Sequence, residues 1–227
     1  MKRVTRRRSK EVLYQKGLSL YLPMTVFFFL ALFLPARPAA AQERIADQVG
    51  VAVLENKLFG MTPGEGLVRV DLSAGERVIA AEGRGLNAFV QTSNRLMAFS
   101  ERTRRWEGVR LDLLDRFVEA RVMPRLIWVR TQKQLLGFQA SAGRWRAESL
   151  NTEETFQKVY TGENIIVAAT DRRLLGFSAF VGGFFEIDLA ADEPITESMI
   201  NDNIAILTTA NRRLIFRSQL GTWAEVR

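Results

Sequence analysis

The chain contains neither cysteine nor histidine. Without cysteine there are no disulfides, so the fold rests on its core alone. The two absences together exclude a Cys/His metal centre. They also exclude a Ser-His-Asp triad and a cysteine nucleophile with its histidine base. Any acid–base chemistry would fall to carboxylates, Lys or Tyr, and no cofactor is expected. A DxDxDG spacing for calcium is missing too. Asp188, Asp192 and the Asn201-Asp202 pair offer only a loose substitute.

A surplus of one charge is also lacking once the N-terminus is set aside. Residues 1–41 hold 8 of the 32 Lys+Arg and 1 of the 25 Asp+Glu, which leaves 24 of each sign in residues 42–227. The formal charge of +7 therefore belongs to the leader. Nucleic-acid binding needs an excess of cations on the binding domain, so that class of partner is not expected.

The leader itself has three parts. A basic start (Lys2, Arg3, Arg6, Arg7, Arg8, Lys10, Lys16) precedes the apolar run LSLYLPMTVFFFLALFL, and Ala39-Ala40-Ala41 supply a small-residue exit. This order predicts a secretory signal peptide over 1–41 and a periplasmic or secreted domain over 42–227. An uncleaved membrane anchor is the competing reading. The Arg6-Arg7 pair hints at twin-arginine export, but a greasy run of this kind fits general secretion better.

What the sequence does contain is a repeat. Phe99, Phe138, Phe177 and Phe216 are 39 residues apart. So are Trp106, Trp145, Phe184 and Trp223, and likewise Thr92, Thr131, Thr170 and Thr209. Leu72, Leu111, Leu150 and Leu189 carry the period back into a first copy, where Met61 and Leu67 replace the Phe and the Trp. One copy reads as NIIVAAT, a tight turn at Asp171-Arg172, RLLGFSA, a glycine turn, and FFEIDL. A polar loop and a weaker fourth strand, ITESMI, follow. Trp106 to Val122 could also read as a helix, but the repeat columns favour strands.

Four strands in about 40 residues, repeated, predict an all-β, five-bladed β-propeller. The last copy stops after TWAEVR, and Glu43 to Gln48 (ERIADQ) looks like the lead-in GERVIA. The expectation is that the N-terminus supplies the last blade's missing strand and closes the ring. The unit LLGFQASAGRW (Leu135 to Trp145) resembles blade repeats of exported bacterial propellers in the broad quinoprotein-like and WD-like group. That resemblance implies a fold and carries no functional residue with it.

Candidate binding residues follow from the propeller reading. The first turn of each copy is cationic: Lys57, Arg95, Lys133, Arg172, Arg173, Arg212 and Arg213. On one face near an axis these would form a basic ring for an anion, an acidic peptide or lipid headgroups. Pairing with loop acids such as Asp115, Glu154 and Glu193 is the plainer alternative. Trp128, in LIWVRT, could line an axial channel beside Arg130 or simply belong to the core. The strands taken as innermost, VAVL, NAFVQT, LIWVRT, NIIVAAT and NIAILTT, contain no Asp or Glu. Glycosidase chemistry needs two facing carboxylates, so the expected role is non-catalytic: a binding or scaffold module for a protein or peptide. A lectin-like propeller using the Trp column is the alternative, with a membrane contact only if the leader stays attached.

Overall fold

The computed structural model describes residues 48–64 and 66–227. The described residues form nineteen strands and no helix. They make five successive antiparallel sheets. The first is β1 (Gly50–Leu54), β2 (Lys57–Thr62) and β3 (Gly66–Asp71). The second is β4 (Val78–Arg84), β5 (Asn87–Thr92), β6 (Arg95–Ser100) and β7 (Arg105–Arg110). The third is β8 (Phe117–Val122), β9 (Leu126–Thr131), β10 (Gln134–Gln139) and β11 (Arg144–Ser149). The fourth is β12 (Phe156–Gly162), β13 (Ile165–Thr170), β14 (Arg173–Ser178) and β15 (Phe184–Asp188). The fifth is β16 (Ile195–Ile200), β17 (Ile204–Thr209), β18 (Arg213–Arg217) and β19 (Thr222–Val226). The stretch from Trp106 to Val122 is strand, loop, strand, as its repeat columns indicated.

The phase of the repeat differs from the sequence reading. ITESMI does not close the copy that precedes it. As β16 it pairs with β17 of the next copy, Ile200 opposite Ala205. Loop length decides this. Three residues separate β16 from β17, and the Asn201 side chain accepts the N–H groups of Asn203 and Ile204 to fix the turn. Six residues separate β15 from β16. The shorter link makes the hairpin.

Two corrections follow. The last sheet is complete at β19 with four strands of its own, so it has no place for an N-terminal strand. Four of the strands read as innermost, β5, β9, β13 and β17, are second in their sheets, while VAVL in β1 stands at the edge of the first among the described residues. Glu43 to Asp47 lie outside the described residues. The Gln48 N–H donates to the Gly85 carbonyl, in the β4–β5 turn of the second sheet.

Sheets stack in chain order through a repeated seam. The Phe column of one sheet lies over a small residue of the sheet before it. Phe99 faces Gly60, Phe177 faces Gly137 and Phe216 faces Gly176, while Phe138 shares a core cluster with Ala98. A Cβ added at those three glycines would come within 2.5–2.8 Å of the ring. Bare backbone is therefore required under those three phenylalanines, whereas the Phe138 seam accommodates the methyl group of Ala98. The Trp column seals the outer end of the seam. The indole N–H of Trp106, Trp145 and Trp223 donates to the carbonyls of Val68, Glu107 and Phe185 in the preceding sheet. These tryptophans are packing anchors with a polar tip, the usual arrangement for a buried indole.

Candidate functional site

The cationic turns can now be placed. Three of the first-turn arginines reach a carboxylate 19 residues upstream, in the loop that enters their own sheet. Arg95 Nε lies 2.9 Å from Glu76, Arg173 Nε 2.9 Å from Glu154 and Arg212 Nε 2.8 Å from Glu193. The same carboxylates accept the hydroxyls of Thr92, Thr170 and Thr209 at 2.6–2.7 Å. Their second oxygens accept the N–H of Ser73, Asn151 and Ala190. The third sheet keeps the pattern with milder chemistry: Asp115 takes Thr131 and the Gln134 amide.

This fourfold Thr–carboxylate clip, completed by Arg in three sheets and by Gln134 in the other, ties each hairpin turn to the loop entering its sheet. The carboxylates are buried, with Glu76 and Glu154 side chains at 0% exposure and Glu193 at 2%. Burial raises the Glu76 carboxyl, but hydrogen bonds from Arg95, Thr92 and Ser73 outweigh it and hold the group at about 2. For Glu193 the Arg212 guanidinium is the leading influence, and the result is again about 2. Glu154 is lowered in the same way, its burial offset chiefly by Arg173.

Arg95, Arg173 and Arg212 therefore do not form an open basic ring; each is spent on the acid of its own clip and on a carbonyl of the preceding sheet, Asp71, Ser149 and Asp188 respectively. Arg173 is the most heavily committed, reaching Glu148, Glu154 and Glu186 as well as the Ser149 carbonyl. Lys133, Arg172 and Arg213 stay exposed on the same turns. Arg172 comes only within 3.9 Å of Glu153. Arg130 lies 2.9 Å from Glu119 and over the Phe156 ring. Trp128 lines no channel. It is 1% exposed, packed with Ile166, Leu175 and Phe177 between the third and fourth sheets.

The clip acids were legible in the sequence and went unread as a column. Glu76, Asp115, Glu154 and Glu193 share the 39-residue step of the threonines. The signal was the joint recurrence of an acid and a Thr 16 residues later.

Sequence reasoning also passed over an apolar surface. Leu113 and Leu114, in the loop from β7 to β8, are 100% and 73% exposed. The corresponding loop positions hold Ala74-Gly75, Thr152-Glu153 and Ala191-Asp192. Leu113 borders a depression shared with Ile79, Asn94, Arg110 and Phe117. Ile79 on β4, which lines the same depression, is itself 62% exposed.

No family model and no curated protein matches the chain. Solved structures do, at low similarity, and they are β-propeller proteins. One is Prp20p from Saccharomyces cerevisiae, described with its binding to Gsp1p and histones. It is 9% identical with a TM-score of 0.39, covering 76% of this chain and 56% of that one. Another is HIRA(644-1017), 12% identical with a TM-score of 0.37, covering 79% and 56%. A third is the extracellular domain of BT4673, a putative hybrid two component system of B. thetaiotaomicron. It is 12% identical with a TM-score of 0.32, covering 78% and 27%. In each case the match takes up less than two thirds of the solved chain.

Proposed function

We propose that the protein is an exported, non-catalytic binding module of five propeller-type blades, and that it holds a protein or peptide partner. The observation that carries this reading is the Leu113-Leu114 pair. Two adjacent leucines stand in water on a loop whose counterparts are small or polar. Large apolar side chains held out together in this way mark an interaction surface. The rigid stack beneath them positions the loop, an arrangement that suits recognition.

A non-catalytic role agrees with the state of the buried acids. Glu76, Glu154 and Glu193 are filled with hydrogen bonds and held ionised, which suits a structural clip. The lectin-like reading needs free aromatic platforms. Trp106, Trp145 and Trp223 commit their indoles to seams and Trp128 is buried, which accounts for the four tryptophans of the chain.

The test is affinity capture of the tagged full-length protein from its own host, beside a Leu113→Asp/Leu114→Asp variant. The reading expects one stoichiometric partner with the parent chain and its loss with the variant. A partner retained by the variant would refute the loop as its site. Binding on a glycan array without any protein partner would favour the lectin alternative.

A further inference from the structure

The two end sheets differ from the three between them. In the fourth sheet every residue of β13 and β14 is buried. In the fifth, burial alternates along β17: Ala205, Leu207 and Thr209 are buried, while Ile204, Ile206 and Thr208 are not. The outward row of that sheet is Met199, Ile206, Ile215 and Ala224, in cross-strand register. Met199 is 66% exposed, and Val226 in the next outward row is 51% exposed. The first sheet shows the reverse face. Leu58 and Gly60 are buried against the second sheet, while Phe59, Met61 and Leu67 point away from it, Leu67 at 62% exposure. The core clusters that contain these two sheets share no member.

The four interior seams define what covers each kind of face. A face like that of the fifth sheet receives the Phe/Trp face of a following sheet. A face like that of the first sheet settles on the small-residue face of a preceding one. Among the described residues one face of each kind is left uncovered.

The side chains at these two faces depart from the repeat together. Position 215 is Ile where the first sheet carries Gly60 and the interior sheets carry Ala98, Gly137 and Gly176. Met61 stands where they carry phenylalanine, and Leu67 stands for tryptophan opposite the small Ala224. A phenyl ring at the spacing of the glycine seams could not sit over the branched Ile215, because at those seams even a bare Cβ would meet the ring. An unbranched methionine can adapt to it. One more seam step sets Met61 against Ile215 and Leu67 against Ala224. It also sets Phe59 against Thr208 and the stem of Arg213.

We propose that the first-sheet face of one molecule covers the fifth-sheet face of a second copy, head to tail. The interface continues the interior seam and uses the same faces in the same order. It is heterologous, so copies add until the rotation closes or the array extends.

The absence of cysteine makes the test clean. Met61→Cys and Ile215→Cys are placed on separate full-length chains of different tag length, mixed and oxidised. The proposal expects a disulfide that joins one chain of each kind. The double variant Met61→Cys/Ile215→Cys reports on the other route: a cross-link inside a single chain would show that the chain covers its own end and would overturn the proposal. Homodisulfides alone, or no cross-link, would overturn it equally. Sedimentation of the unsubstituted full-length protein needs no variant. Mass must rise with concentration and fall back to one chain with Ile215→Lys, while a monomer at every concentration defeats the assembly.

Discussion

The ring of Phe216 lies over the bare backbone of Gly176, and a Cβ on that glycine would sit 2.8 Å from three of its atoms. The contact repeats at Gly137 with Phe177 and at Gly60 with Phe99. At these three positions a single methyl group is therefore enough to push two sheets apart. Gly176→Ala is expected to destabilise by about 1–3 kcal/mol through overpacking. Gly64, whose Cβ would meet nothing within 4 Å, is the control. Urea unfolding of both variants checks the prediction, and equal midpoints would contradict it.

The indole of Trp145 does two jobs: it fills the seam and it satisfies the Glu107 carbonyl at 3.2 Å. The two can be separated. Trp145→Phe keeps most of the volume and loses the hydrogen bond, at a cost of about 1 kcal/mol. Trp145→Ala loses both, at about 3–5 kcal/mol. If the two variants melt alike, the packing role is wrong.

Arg173 and Lys133 sit on corresponding turns with different duties. Removing the Arg173 guanidinium leaves Glu154 buried and unpaired, so Arg173→Ala should cost about 3–5 kcal/mol. Lys133 is exposed, and Lys133→Ala should stay within about 0.5 kcal/mol. Chemical denaturation of the pair distinguishes a clip from a free basic ring, which would give small losses at both.

Acid should unfasten the clips. Glu76 and Glu193 have folded values of about 2 against an ordinary 4.5. The folded state binds its protons less readily than the unfolded chain. The stabilisation is therefore complete above about pH 4.5 and is lost as pH falls toward 2. Unfolding midpoints across that window should decline steeply, and Glu193→Gln should flatten the decline. A profile unchanged by that substitution would show that the clip carries no pH dependence.

Much of this was legible in the sequence, and the reasons are local. The Phe, Trp and Thr columns mark strands because packing and turn chemistry recur at fixed spacing. What the columns could not assign was sheet membership. ITESMI follows FFEIDL in sequence but pairs with NIAILTT, a choice that rests on the relative lengths of two loops. The repeat gave the cationic turns and named loop acids as partners, but not which acid meets which turn. Arg212 looks free until Glu193, 19 residues away, folds beneath it. Leu113 and Leu114 were hidden in another way. Within a repeat, two leucines in a loop read as noise until their exposure is known.

The seams have one further consequence, for how the chain reaches its fold. Their hydrogen bonds join residues 24 to 41 apart, as in Arg173 to Ser149 and Gln139 to Phe180, while the clips span 16 to 19. Each sheet can therefore form as soon as its own forty residues are available, and it needs only its predecessor to dock against. Such a topology has low contact order and nearest-neighbour energetics. A chain threaded through a membrane from its N-terminus could build itself sheet by sheet as it emerges, with each completed sheet serving as the template for the next.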